Sequence, residues 1–189
     1  MITALDKNTA LVLIDLQNSV VSVQTKPHSV EDVLKNVNEL IAALRKKQLP
    51  IVLVNVKPAG TWLQSRKETK MPPFPDDENA YKISDKVNAD KNDIYITKHT
   101  WSAFFETELN NELKKKSITN IILGGISTSI GAEATARAAS ESGYNITLAT
   151  DAITDRNESA HQNSIQNIFP RLGETGTTKE IIEMLEKTI

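Results

Sequence analysis

Ala10-Leu-Val-Leu-Ile14, closed by Asp15, is an unbroken apolar run that ends on a carboxylate. No polar residue alternates within it, so both faces are buried, which is how a strand reads inside a parallel sheet covered by helices. Outward from it, Val30, Val33, Leu34, Val37, Leu40, Ile41 and Leu44 recur at helical spacing. Ser29 is placed as the N-cap and Asp32 as its capping-box partner, and the helix must close before Pro50. Ile51-Val-Leu-Val-Asn-Val56 is a second buried strand, broken by Pro58-Ala-Gly60. Strand, helix and strand make a βαβ unit with a right-handed crossover.

The same alternation continues downstream. Asp93 to Thr97, Asn120 to Gly124 and Tyr144 to Ala149 read as strands, with a short sixth piece near Thr175. Phe105 to Lys116, Ile130 to Ser142 and Arg156 to Phe169 read as helices, and Thr177 with Glu180 opens a last one in capping-box spacing. The expected architecture is a three-layer doubly wound α/β fold: a largely parallel six-stranded sheet with helices on both faces and its site at the C-terminal strand ends. Residues 57–91 are polar and proline-rich, too long for a plain connection, and read as a lid or binding loop.

With 189 residues, 39% hydrophobic and 24% charged, the chain fits one domain over 1–189 and excludes collagen-like or wholly disordered classes. The 22 Lys and Arg against 24 Asp and Glu leave a net charge of −2 with no basic run, against a nucleic-acid or membrane-surface binder. A small-molecule substrate is expected. There is no Cys, which removes disulfides and thiol nucleophiles together. Met1 to Asp6 lacks a signal-peptide pattern and no apolar run approaches a membrane span, so a cytoplasmic location is expected.

The strand ends carry Asp15, Asn55 to Lys57, Lys98, the turn from Gly125 to Gly131, and Asp151. Burial raises the pKa of a carboxylate and a neighbouring ammonium lowers it, so the Asp15–Lys98 balance decides whether Asp15 is an acid or a spectator ion. No dinucleotide or phosphate-binding glycine motif follows the first strand. His28, His99 and His161 stand far apart in sequence without metal-ligand spacing, so no metal is expected, and His99 is assigned to packing.

Leu13-Ile-Asp-Leu-Gln17, Ile96 to Phe104, Gly124-Gly-Ile-Ser-Thr-Ser-Ile-Gly131, Thr135-Ala-Arg-Ala-Ala139 and Leu148-Ala-Thr-Asp-Ala152 together resemble the isochorismatase-like hydrolase family, motif by motif and in order. Most members are cysteine hydrolases with an Asp, Lys, Cys triad that cleaves amides. Asp15 and Lys98 fall on the first two positions, and Gly131 stands where the nucleophilic Cys would be. The exchange is similar to that in true isochorismatases, which split a vinyl ether without a covalent intermediate and without a cofactor. By that resemblance Asp15 is the general acid and Lys98 holds the substrate carboxylate and tunes Asp15. Gly131 leaves room for substrate, with helix-start amides favouring an anion.

The same likeness places Lys57 at a substrate-contacting position where the family has Gln, and Arg66 nine residues on, where the Arg is kept. Ser127 replaces a Tyr, and Ile126-Ser127 is where a non-proline cis peptide shapes the oxyanion-binding turn. Relatives commonly associate, which implies a homo-oligomer with Trp62, Met71 and Phe74 of the long loop in the contact. Asp15 and Lys98 are expected within about 8 Å of each other. Two rivals stay open: an amidase using another nucleophile, for which Ser127, Thr128 and Ser129 are the nearest hydroxyls, and a binding or assembly protein that kept the fold without the chemistry. Thr128 or Ser129 is otherwise expected to cap the helix beginning near Ile130.

Overall fold

The computed structural model describes residues 2–59, 66–68 and 75–188. Trp62, Met71 and Phe74, expected in a subunit contact, lie outside the described residues. The elements run β1 (Thr9–Ile14), α1 (Asn18–Val21), α2 (Val30–Lys46), β2 (Ile51–Val56), β3 (Ile94–Lys98), α3 (Leu109–Lys115), β4 (Asn120–Ile126), α4 (Glu133–Glu141), β5 (Asn145–Thr154), α5 (Glu158–Asn163), β6 (Glu174–Gly176) and α6 (Thr178–Thr188). The strands form one parallel sheet in the order β3-β2-β1-β4-β5-β6. Strand order therefore reverses between β1 and β4, whose C-terminal ends open the crevice where such sheets place their ligands.

Alternate side chains of the central strands sort into two cores. Leu11, Leu13, Ile51 and Leu53 pack under α2 and α6, whereas Val12, Ile14, Val52, Val54 and Ile96 pack under α3 and α4. α2 forms as its pattern predicts: all seven periodic positions from Val30 to Leu44 are buried, and Ser29 Oγ accepts from the Asp32 amide at 3.1 Å. α6 opens with Thr177 and Glu180 paired reciprocally.

Four boundaries differ from the sequence expectation. β4 runs on to Ile126, because Gly125 pairs with Ile14 at a φ of +116°, where an added Cβ would sit 2.2 Å from the Ile14 carbonyl oxygen. Only glycine permits that approach. β5 extends through Thr154, so Asp151 lies inside a strand: its Oδ1 accepts from the Thr178 amide and hydroxyl at 2.7 and 2.8 Å, anchoring the start of α6 rather than facing the site. The helix expected over 156–169 is α5 followed by a π-helical turn at Ser164–Ile168 and a 3₁₀ turn at Phe169–Arg171. Helix formation after β3 is delayed to Leu109, because Thr107 Oγ1 takes the Ala103 carbonyl and accepts from the Leu109 amide.

No helix among the described residues is long and apolar enough to cross a membrane. The return of the expected long loop lies among the described residues. Glu78–Tyr81 forms a 3₁₀ turn, and Asn18 and Ser84 amides donate to Lys82 and Leu16 carbonyls, pinning it beside the sheet.

Candidate active site

Asp15 follows β1 directly, its amide still donating to the Val54 carbonyl at 2.8 Å while a φ of +54° turns the side chain off the strand direction. Lys98 is the last residue of β3, and its Nζ lies 2.8 Å from Asp15 Oδ2 and 3.1 Å from the Thr100 carbonyl. Both are buried, Lys98 with 1% of its surface exposed and Asp15 with 6%. A Cβ at Gly131 would stand 3.2 Å from Asp15 Oδ2 and 3.5 Å from Lys98 Nζ. The three positions expected from the sequence thus converge, well inside the 8 Å limit.

Burial pushes the Asp15 carboxyl up to about 6, and the Lys98 charge and hydrogen bond only partly oppose it. Oδ2 is taken by Lys98, whereas Oδ1 is buried without a hydrogen-bond partner among the described residues. A buried carboxyl oxygen left unmatched is a costly arrangement in a folded chain and marks a place where a ligand or a proton completes the site.

The turn that carries Gly131 starts at Ser127, in extended conformation after the cis Ile126–Ser127 peptide that the resemblance implies. It continues as a π-helical turn over Thr128–Ala132 into α4. Neither Thr128 nor Ser129 caps that helix as expected. Thr128 Oγ1 lies 2.8 Å from His161 Nδ1, and the Ser129 amide and hydroxyl both donate to Asp155 Oδ2 at 2.8 Å. The amides of Ile130 and Ala132 donate to the Ser127 carbonyl. With the 129, 130 and 132 amides engaged, the helix start offers an anion less than the sequence suggested.

Several residues have no hydrogen bond or ion pair to Asp15 among the described contacts. The Lys57 amide bonds to the Lys98 carbonyl, yet its ammonium goes to Glu78 Oε1 at 2.5 Å and lies 5.6 Å from the centre of the Tyr81 ring. Arg66 lies in the described triplet 66–68 and is exposed. His99 is exposed, and its Nδ1 donates to the Lys57 carbonyl at 2.8 Å, so it ties two strand ends together rather than packing in the core as expected. Gln17 clamps the end of β2, accepting from the Val56 amide at 2.7 Å and donating to its carbonyl at 3.0 Å. Asp155, His161 and Thr135 are the supporting residues that sequence reasoning missed. His28 and His161, distant in sequence, come within 5.9 Å edge to face, and among the described residues no cluster of three or more His, Asp or Glu could hold a metal ion.

A doubly wound parallel sheet with a buried carboxyl–ammonium pair at its C-terminal strand ends is the architecture of an α/β class that places its ligands where strand order reverses. Residues 9–180 match the isochorismatase domain. A solved isochorismatase family protein from Burkholderia thailandensis superposes with a TM-score of 0.94 at 34% identity, covering 98% of this chain and 100% of that one. The uncharacterised isochorismatase family protein YecD of Escherichia coli O157:H7 is 36% identical over 95% of this chain and 97% of its own. Nicotinamidase 3 of Arabidopsis thaliana is 29% identical over 86% of this chain and 81% of its own. The chain belongs to the isochorismatase family of hydrolases.

Proposed function

We propose that the protein hydrolyses a vinyl ether, isochorismate or a related enolpyruvyl compound, without a covalent intermediate. The observation that carries this reading is the Asp15 carboxyl, raised to about 6, with one oxygen on Lys98 and the other buried and unmatched, beside a position that bears no nucleophile. Protonated Asp15 gives its proton to the methylene carbon of the enolpyruvyl group and leaves an oxocarbenium-like centre. Water adds to that centre, its surplus proton returns to Asp15, and the hemiketal collapses to pyruvate and the ring alcohol. Lys98 neutralises the Asp15 carboxylate formed after transfer and attracts the substrate carboxylate. Gly131 keeps the space beside both groups free of a side chain. Arg66, Lys57, Ser127 and Ile126 are the proposed substrate contacts, with Lys57 released from Glu78 when it serves.

Incubation with isochorismate and, separately, with nicotinamide tests the reading through pyruvate and ammonia. Pyruvate in step with substrate loss and no ammonia is expected. Ammonia from nicotinamide with no pyruvate replaces it with the amidase reading suggested by the plant relative.

A further inference from the structure

Thr135 lies one turn into α4, is fully buried, and is used by none of the steps above. Its hydroxyl donates to the Gly131 carbonyl at 2.7 Å and accepts from the Ala103 amide at 3.0 Å. The first bond is the ordinary one of a helical Thr to the carbonyl four residues back. The second is different, because Ala103 belongs to the segment that follows Lys98 rather than to the helix.

That segment is tied to Lys98 at its other end, where Nζ donates to the Thr100 carbonyl at 3.1 Å. Ala103 is itself fully buried, and its carbonyl accepts from Thr107 Oγ1 at 2.5 Å, so its place is fixed on both sides of the residue. A continuous path of contacts therefore runs from Gly131 through the Thr135 hydroxyl and residues 100–103 to the Lys98 ammonium and across to Asp15. Within that path the Thr135 hydroxyl is the side-chain group that joins the segment bearing Gly131 to the segment bearing Lys98.

We propose that Thr135 is a positioning residue: by bonding the Gly131 turn to the segment after Lys98, it sets the Asp15–Lys98 separation. This rests on the reading of Asp15 as the acid. Loss of the hydroxyl leaves the buried Ala103 amide without an acceptor, and the segment must move to find one. The Thr100 carbonyl moves with that segment and draws the ammonium bonded to it away from Asp15. Lys98 is the charged group that acts on Asp15, so a longer contact removes attraction and leaves burial to dominate.

The test is the titration of the Asp15 carboxyl carbon followed by ¹³C NMR in the full chain, for wild type, Thr135→Val, Thr135→Ala and Thr135→Ser. The wild-type midpoint is expected at about 6. Thr135→Val shifts it upward by about one unit and moves the high-pH limb of kcat/KM for pyruvate release upward with it, while Thr135→Ser restores both. Thr135→Ala also lacks the hydroxyl and favours the helix, so it serves if the Val variant does not fold. Thr9→Val, which removes the hydroxyl bond to the Asp6 carbonyl at the far end of β1, lowers Tm without moving the midpoint. Midpoints in both Val and Ala variants equal to wild type overturn the proposal. A wild-type midpoint near 3.8 sinks the general-acid reading instead, and the difference between variants still decides the role of Thr135.

Discussion

Asp15 stands under two opposing influences, burial that favours its neutral form and Lys98 at 2.8 Å that favours its charge, and burial wins. If the neutral form is the acid, kcat/KM falls as pH rises through about 6, in the limb measured by initial rates from pH 5 to 8. The folded state holds this proton more tightly than the unfolded chain, whose carboxyl titrates near 3.8. The stability it contributes is therefore full below pH 3.8 and is lost as pH rises through about 6, a slope that denaturant melts record. Asp15→Asn keeps the shape but not the transferable proton, and turnover is expected to drop about 10² to 10⁴-fold. Because folding favours a neutral side chain at this place, Asp15→Asn is expected to fold at pH 7 without loss of stability from the missing charge, and its denaturant melts should lack the slope through about pH 6. Gly131→Cys brings a Cβ to 2.9 Å from Ile14 Cγ2, so the Ile14 side chain has to shift, and the new sulfur lies near the Lys98 ammonium. A thiol reacting with iodoacetamide well below pH 8.5 is the expected outcome, with pyruvate release reduced by the occupied space.

Elements matter here through the way their ends are tied. Asp155 closes β5, its backbone is bridged to Lys26, and its carboxylate holds Ser129 two residues before Gly131. Asp155→Ala orphans the Ser129 amide at a cost of about 1–3 kcal/mol, read from chemical melts, with kcat falling at the same time because the turn is released. Gly125→Ala is far more severe, since no rotamer relieves a Cβ at 2.2 Å from backbone, and insoluble expression is the expected result. The βαβ start was legible because burial imposes its own periodicity on Val30 to Leu44 and leaves Ala10 to Ile14 with no polar face. The end of β5 was not, because Asp151 looks like a strand terminator and is tolerated only through its bonds to Thr178, far along the chain. The same reason hid half of the site. Asp15 and Lys98 announce themselves at strand ends and Gly131 through the family resemblance, whereas Asp155, His161 and Thr135 act on a turn whose shape local sequence does not encode.

At the scale of the whole molecule, Trp101 and Phe105 are 49% and 54% exposed, on the segment between Lys98 and α3. Aromatic surface of this kind favours association, and a mass of at least a dimer in light scattering at micromolar concentration is the expected outcome. A monomer there overturns the expectation of a homo-oligomer. The strand order has a separate consequence in time. β1 is flanked by β2, which follows it closely, and by β4, which pairs Thr9 with Asn120 and Ile14 with Gly125. During synthesis β1 therefore leaves the ribosome long before its second neighbour exists, and one edge of this wholly buried strand waits unpaired. Asp15 is made first and its surroundings last: a nascent chain stopped before residue 120 has Asp15 and Lys98 but no wall against which to bury them, so the buried pair forms only when the late half docks. Release of the chain and the first turnover should be separated by the slow closure of a parallel sheet, a lag that refolding from denaturant would reproduce as activity trailing helix formation.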